Sequence, residues 1–379
     1  MKLSDIVNRI NGNVDRFTTD LEYYIGGEHI ESNELEITKG GNLKENLGKL
    51  GFKFHFAFQE RDVIFMARNP HLRKAGMVMF SGLCSDASYI LRSKDENVIT
   101  QEFLAIQLQS DHFWDYCERT KVGSVNFANN WTSIANYEFD LPPIEKQKDI
   151  AQKVWAAYRL KESYKKLLTA TQEMVKSQFI EMFGVPENNH KKYPIIKIEE
   201  IVDSINYGTS KPATDCGEYI YLRMNNITYD GKLDLSDTKR INISPEKNES
   251  VFVRKGDLIF NRTNTKEFVG KTTVFNLDEP MVIAGYIIRV VLKKEFTAEF
   301  VSGYLNSNYG KALLRKMAKG AVHQANINAQ EFQGIQILKV PKLEQEEYVK
   351  ILNQSEYVEF ELRKSIEAID QVIKSLINS

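Results

Sequence analysis

The densest group of hydrogen-bond donors in the chain is Asn261-Arg262-Thr263-Asn264-Thr265-Lys266, followed closely by Gly270-Lys271-Thr272-Thr273. Arginine can fork onto a guanine edge and asparagine onto adenine, while lysine and threonine suit phosphate oxygens. The same residue types also build ordinary turns, so the string gains meaning only from its surroundings. Similar polar loops occur at Asn206-Tyr207-Gly208-Thr209-Ser210-Lys211, at Arg223-Met224-Asn225-Asn226 and at His323-Gln324-Ala325-Asn326. Arg262, Asn264, Lys266 and Lys271 are candidate nucleic-acid contacts, the first two as base readers and the lysines as phosphate contacts. Asn206, Tyr207, Arg223, Asn225, His323 and Gln324 extend the set.

Residues able to support catalysis are not arranged for it. The six histidines are scattered, with no pair at the four-residue spacing that puts two imidazoles on one helical face. Cys84, Cys117 and Cys216 form no close pair, and an odd count offers no disulfide framework. The segment from Thr265 to Thr272 is close to a phosphate-binding loop, but Thr265 stands where the first glycine must let the backbone wrap phosphate. Asn69-Pro70-His71-Leu72 begins like the loop with which amino-DNA methyltransferases hold a flipped base, yet it lacks the second proline and the stacking aromatic. These absences favour a binding or scaffolding protein over an enzyme.

The elements that must carry these loops come in duplicate. Lys2-Leu3-Ser4-Asp5-Ile6-Val7-Asn8-Arg9-Ile10-Asn11 recurs as Lys197-Ile198-Glu199-Glu200-Ile201-Val202-Asp203-Ser204-Ile205-Asn206. In the same register Asp62-Val63-Ile64-Phe65 meets Asp257-Leu258-Ile259-Phe260, and Asn69 meets Asn264. Further on Ala128-Asn129 meets Ala325-Asn326, the spacing having drifted by small insertions. A period this long signals duplication of a whole module. Residues 1–143 and 190–341 mix short β-type runs with turns and a few helices, an α+β pattern. By position in the repeat, Arg68, Asn69, Arg73, Lys74 and Asn129 are the first module's candidate contacts. Trp131, just beyond, reads as core.

Each module is followed by a stretch free of proline and glycine, 144–183 after the first and 342–379 after the second, with a short linker at 184–189 between the first stretch and the second module. Leu362, Ile366, Ile369, Ile373 and Leu376 step by four and three, the seam of a coiled coil. Ile150, Val154, Ala157, Tyr164, Leu167, Thr171 and Val175 trace a looser stripe. At 1.5 Å per residue each stretch predicts a helix roughly 60 Å long. The formal charge is −5 over 1–143, +3 over 144–183, −1 over 184–189, +5 over 190–341 and −3 over 342–379. The near-neutral whole is therefore a cancellation. Helices of opposite sign with apolar seams favour pairing with one another, and an antiparallel pair closes the chain most simply. The second module is basic, which suits a DNA groove.

At this point the residues resemble a known family, the specificity (S) subunit of type I restriction-modification systems. The resemblance covers essentially the whole chain. It rests on the two modules, on helices opening with Leu141-Pro142-Pro143-Ile144-Glu145-Lys146-Gln147 and Val340-Pro341-Lys342-Leu343-Glu344-Gln345, and on Phe179-Ile180-Glu181-Met182-Phe183-Gly184. Gly256-Asp257-Leu258-Ile259-Phe260-Asn261-Arg262-Thr263-Asn264 and Gly320-Ala321-Val322-His323-Gln324-Ala325-Asn326-Ile327 look like the recognition core.

The resemblance implies two target-recognition domains joined by two long antiparallel helices. Each domain would read half of a split site in double-stranded DNA. Two methyltransferase subunits would dock on the helices and restriction subunits would join them. S-adenosylmethionine, ATP and Mg2+ would belong to those partners, with no cofactor on this chain. The alternative is a self-contained DNA methyltransferase or nuclease with divergent motifs, which S-adenosylmethionine binding by the chain alone would favour. With 42% hydrophobic and 27% charged residues, no run of 18 apolar residues and no secretory pattern at Met1–Asn13, a cytoplasmic address without membrane contact is expected.

Overall fold

The computed structural model describes residues 1–321 and 324–378. It divides into two compact units, Met1–Lys166 with Leu362–Ser379, and Leu167–Glu361. Each unit combines a mixed α+β module with parts of two long helices, Ile144–Phe183 and Lys342–Ile377.

In the first unit the strands Val7–Ile10, Ser88–Ser93, Val63–Met66, Ala75–Val78 and Glu36–Ile37 lie side by side in that order, antiparallel except for the last pair. In the second unit Val202–Tyr207, Ile287–Leu292, Leu258–Asn261 and Thr272–Val274 repeat the order. A second sheet in each unit contains a parallel pair, Tyr23–Ile25 with Gly82–Ser85 and Tyr219–Leu222 with Met281–Ile283. The duplication read from sequence is thus a duplication of topology.

The continuous apolar runs at the centre have a simple cause, since both faces of the strand are covered. Val63 and Phe65 face a core shared with the helices, and Ile64 and Met66 face a separate core on the opposite side. Leu258 and Phe260 divide from Ile259 in the same way. Asp62 and Asp257, matched in the repeat, both accept the guanidinium of a neighbouring strand. Arg92 donates to both Asp62 oxygens at 2.7 and 2.9 Å, and Arg289 Nε donates to Asp257 Oδ2 at 2.6 Å.

Helix starts repeat as well. Thr100 and Thr297 accept from the amides of Phe103 and Phe300, and Ser110 and Ser307 accept from those of Phe113 and Gly310, satisfying backbone donors that a helix leaves open. The signature at each long helix is explained by its buried glutamine. Gln147 Oε1 accepts from Thr100 N while Nε2 donates to the carbonyls of Val98 and Pro142. Gln345 does the same with Thr297 N, Glu295 O and Val340 O. These two glutamines are 198 residues apart.

The long helices are antiparallel partners within each unit. In the first, Val154, Trp155 and Tyr158 share a core with Ile369, Ile373 and Leu376. In the second, Phe179 packs on Tyr348 with ring centroids 5.2 Å apart, and Gln172 reaches Glu359, so the first helix ascends as the second descends. The seam from Leu362 to Leu376 faces inward as its spacing predicts. The first stripe needs one correction. Leu167 is half exposed, and the neighbouring Leu168 turns inward in its place.

Candidate nucleic-acid interface

In the second module the central strand ends at Asn261, and the next residues are held from both sides. Arg262 N donates to Tyr286 O at 3.0 Å, and Arg262 O accepts from Ile327 N at 2.9 Å. Thr263–Asn264 then pairs with Gln324–Asn326, which pairs with Lys319–Ala321. This small sheet borders a cavity of about 1020 Å³ lined by Arg223, Asn225, Arg262, Tyr286, Lys319 and Gln324, among others. Polar loops far apart in sequence thus converge on one opening.

Arg262 is the cation best placed there. Its guanidinium lies over the Tyr207 ring, 4.8 Å from the centroid, and its Nε is buried without a hydrogen-bond partner among the described residues. Tyr207 is fixed in turn, its hydroxyl accepting from Ala329 N at 3.0 Å. The arginine is therefore stacked and still able to donate, the condition for forked recognition of a base edge. Arg223 is more committed, donating to the carbonyl and carboxylate of Asp237, both at 3.0 Å, and Asn225 joins the same carboxylate. Gln324 is exposed at the cavity wall. Asn206 lies on the strand Val202–Tyr207, paired with Arg289.

Several candidates fall elsewhere. Asn264 is used within its own loop, donating to Asn261 Oδ1 and accepting from Thr265 N. Lys266 is exposed on the turn that follows. Lys271 is corrected from a phosphate contact to an interior residue. It is 8% exposed, its amine donates to Met224 O at 2.5 Å, and burial pushes its pKa down. Thr272–Val274 is a strand, where a phosphate-binding loop would require a helix. His323 lies outside the described residues. Tyr286, 54% exposed, and Lys319 are additions. The only signal for Tyr286 was its place at the start of a β-type run, where Ala284-Gly285-Tyr286 turns outward before the strand begins at Ile287.

The first module reproduces the framework with different side chains. Arg68 bridges Ala128, which bridges Val122, as Thr263 and Lys319 both bridge Asn326. Ala67, buried, stands where the repeat has Arg262. Arg68 and Asn69 are exposed, the latter in left-handed backbone that asparagine tolerates (φ 53°). Arg73 is held by Asp111 at 2.6 Å and Lys74 by Gly27 O at 2.5 Å, which commits both to the fold. Asn129 is likewise corrected. It is 1% exposed and its amide donates to Cys117 O and Thr120 Oγ1. Trp131 is partly buried against the core, with Arg9 over it and over Tyr89.

Lys311, outside the cavity, is half-buried, and its shielded Nζ has no hydrogen-bond acceptor among the described residues and rests 4.7 Å from the centre of the Tyr229 ring. Burial pushes its amine down to about 8. A lowered lysine pKa means that folding is penalised while the amine is charged, and that the penalty fades as pH rises from about 8 towards the ordinary lysine range near 10.4. Lys311→Met is expected to raise the thermal midpoint at pH 7, with the gain shrinking across that window. An equal gain at pH 7 and pH 10 would contradict the assignment.

Residues 1–170 and 188–371 match the family model for the type I restriction modification DNA specificity domain. The chain belongs to this family. It is similar to a putative type I restriction enzyme specificity subunit of Methanocaldococcus jannaschii, 24% identical over 203 residues, or 52% of this chain and 46% of the relative. The chain thus spans about half the length of that curated relative. Its fold resembles a chain from a structural study of assembly and conformational transition in a type I restriction-modification system, with a TM-score of 0.61 at 18% identity, covering 100% of this chain and 95% of the other. It also resembles the type I restriction-modification S subunit of M. genitalium, with a TM-score of 0.52 at 12% identity, covering 100% and 94%. The specificity-domain match accounts for both copies of the repeat. No described helix is long and apolar enough to cross a membrane.

Proposed function

We propose that this chain is the DNA-reading, non-catalytic subunit of a type I restriction-modification complex. The observation that carries the reading is the repeated module, each copy presenting polar loops beyond its central strand, with Arg262 stacked and available at the cavity of the second. Residues 1–143 and 190–341 act as the two target-recognition domains, 144–183 and 342–379 as spacer helices, and 184–189 as linker. Each domain reads one half of a split site, and the helix pair sets the number of base pairs between halves. Arg262, Gln324 and Tyr286 contact bases in one half, with Lys266 on phosphate, and Arg68 and Asn69 contact the other.

The complex is completed by two methyltransferase subunits and by restriction subunits, which hold S-adenosylmethionine, ATP and Mg2+, and it works in the cytoplasm. In the second unit Leu167, Met174, Tyr357 and Phe360 leave apolar side chains half or more exposed on the long helices. Large exposed aromatics of this kind anchor protein interfaces. Alanine at both Tyr357 and Phe360 is expected to weaken methyltransferase binding at least tenfold while leaving the thermal midpoint in place. Equal binding by the double variant would remove the helices from the interface. The reading as a whole is tested by mapping methylated bases in DNA exposed to the chain with its methyltransferase. A split, asymmetric site is expected, and methylation without sequence preference would refute it.

A further inference from the structure

The two modules meet the long helices through buried ionic groups of opposite sign. In the first unit Lys161 of the first helix is 4% exposed. Its amine lies 3.1 Å from Glu34 of the module and 3.0 Å from Asp370 of the second helix, and Lys165 adds a second amine to Glu34 at 2.8 Å. In the second unit Glu359 of the second helix is 5% exposed. It pairs with Lys232 of the module and accepts from Gln172 Nε2 of the first helix at 2.9 Å, with Glu356 close enough to feel the Lys232 charge.

These are the same three positions in the two copies. Glu34 corresponds to Lys232, Lys161 to Glu359 and Asp370 to Gln172, each across 198 residues, the spacing already fixed by Gln147 and Gln345. At the module end the preceding turn is shared at a spacing of 197, so one residue more separates it from Lys232 than from Glu34. Gly26 N donates to His29 Nδ1, and Arg223 N donates to Asn226 Oδ1, each capping the single turn that precedes Glu34 or Lys232. The duplicated framework has kept the geometry, inverted the charge of the central pair and replaced the third carboxylate by a neutral amide.

Buried ion pairs add little net stability over an apolar contact of the same shape, but they penalise a wrong partner heavily because a like charge is left desolvated. We infer that the two triads are a polarity key that assigns each module to its own place, the first helix position accepting a module that presents a carboxylate and the second one that presents an amine. If the chain reads DNA as proposed above, this assignment also fixes the order of the half-sites. The key concerns docking of module on helix, so it is tested without DNA and stands or falls apart from the reading proposed above.

The experiment uses the full chain and a chimaera in which a second copy of residues 1–143 replaces 190–341, carrying the Glu34 carboxylate to the place of Lys232. Thermal unfolding is measured with and without Glu359→Lys. The substitution is expected to lower the midpoint of the natural chain by ~10 °C and to raise that of the chimaera. A shift in the same direction in both chains, or no shift in either, overturns the key. If the chimaera does not fold in either form, the natural chain decides through Lys232→Glu, Glu359→Lys and the two together. A double variant more stable than both single variants supports the key, and one no more stable than the worse single variant, or intermediate between them, overturns it.

Discussion

Asp257→Ala is expected to destabilise the second module by about 3–5 kcal/mol, the cost of leaving a buried charge without its partner. Asp257 and Arg289 have side chains 8% and 12% exposed, and the carboxylate also accepts from Arg254 N at 2.7 Å, closing the turn before the central strand. Removing the carboxylate strands a guanidinium between the strands Leu258–Asn261 and Ile287–Leu292, which pair directly. Removing both charges together, with Asp257→Ala and Arg289→Met, should recover a large part of the loss, because the penalty belongs to the unpaired ion and not to a missing attraction. Urea unfolding measures both. A single variant that costs less than 1 kcal/mol would show that the turn is held by its backbone bonds alone.

The second large effect is on recognition. Arg262→Ala removes a donor whose backbone is pinned by Tyr286 and Ile327 and whose guanidinium is stacked on Tyr207, so the fold should persist while a base contact is lost. A forked arginine contact is worth about 1–3 kcal/mol of discrimination, roughly tenfold to a hundredfold at one position of the site. The expected result, read from methylation of a plasmid library, is a relaxed preference confined to one half-site. Preference and affinity unchanged from the natural chain would remove Arg262 from the interface. Lys266→Ala should instead weaken binding across all sequences and reduce its salt dependence, the mark of a phosphate contact.

The parts of this design that were legible in the sequence were those the two copies share. Asp62 and Asp257 stood out because each closes the same turn and binds the same neighbouring strand, so neither copy could change it without cost. The long helices were legible because a seam such as Leu362 to Leu376 has a period and an unbroken length. Lys271 and Asn129 misled because donor-rich residues near loops look alike whether they face water or satisfy interior carbonyls, as Met224 O and Cys117 O require here. Arg73 and Lys74 misled for the same reason. The charge triads were invisible to self-comparison because every matched pair differs in type, glutamate against lysine, lysine against glutamate, aspartate against glutamine. Their members also lie on three distant segments that only folding brings together.

The same inversion refines the charge arithmetic. The +3 and −3 of the two helix segments are partly explained by buried groups that face the modules, Lys161 on one and Glu359 on the other, in addition to any attraction between the helices. In the first module Arg61 is tied to Glu96 and Glu102, Arg73 to Asp111 and Lys74 to Gly27 O, which leaves Arg68 as the exposed arginine of the segment 61–74 not held by these contacts. On the proposed reading, Arg68 is therefore the main DNA contact of that segment.

Two modules of one fold that read two halves of one site independently can be exchanged one at a time. The most direct measurement replaces residues 190–341 with the corresponding module of another member of the family, choosing one that presents a basic residue at the Lys232 position, and maps methylated bases with the methyltransferase partner supplied. One half of the recognised sequence is expected to change while the other half and the spacing between them stay as they were. A change in both halves, or in neither, would contradict independent reading.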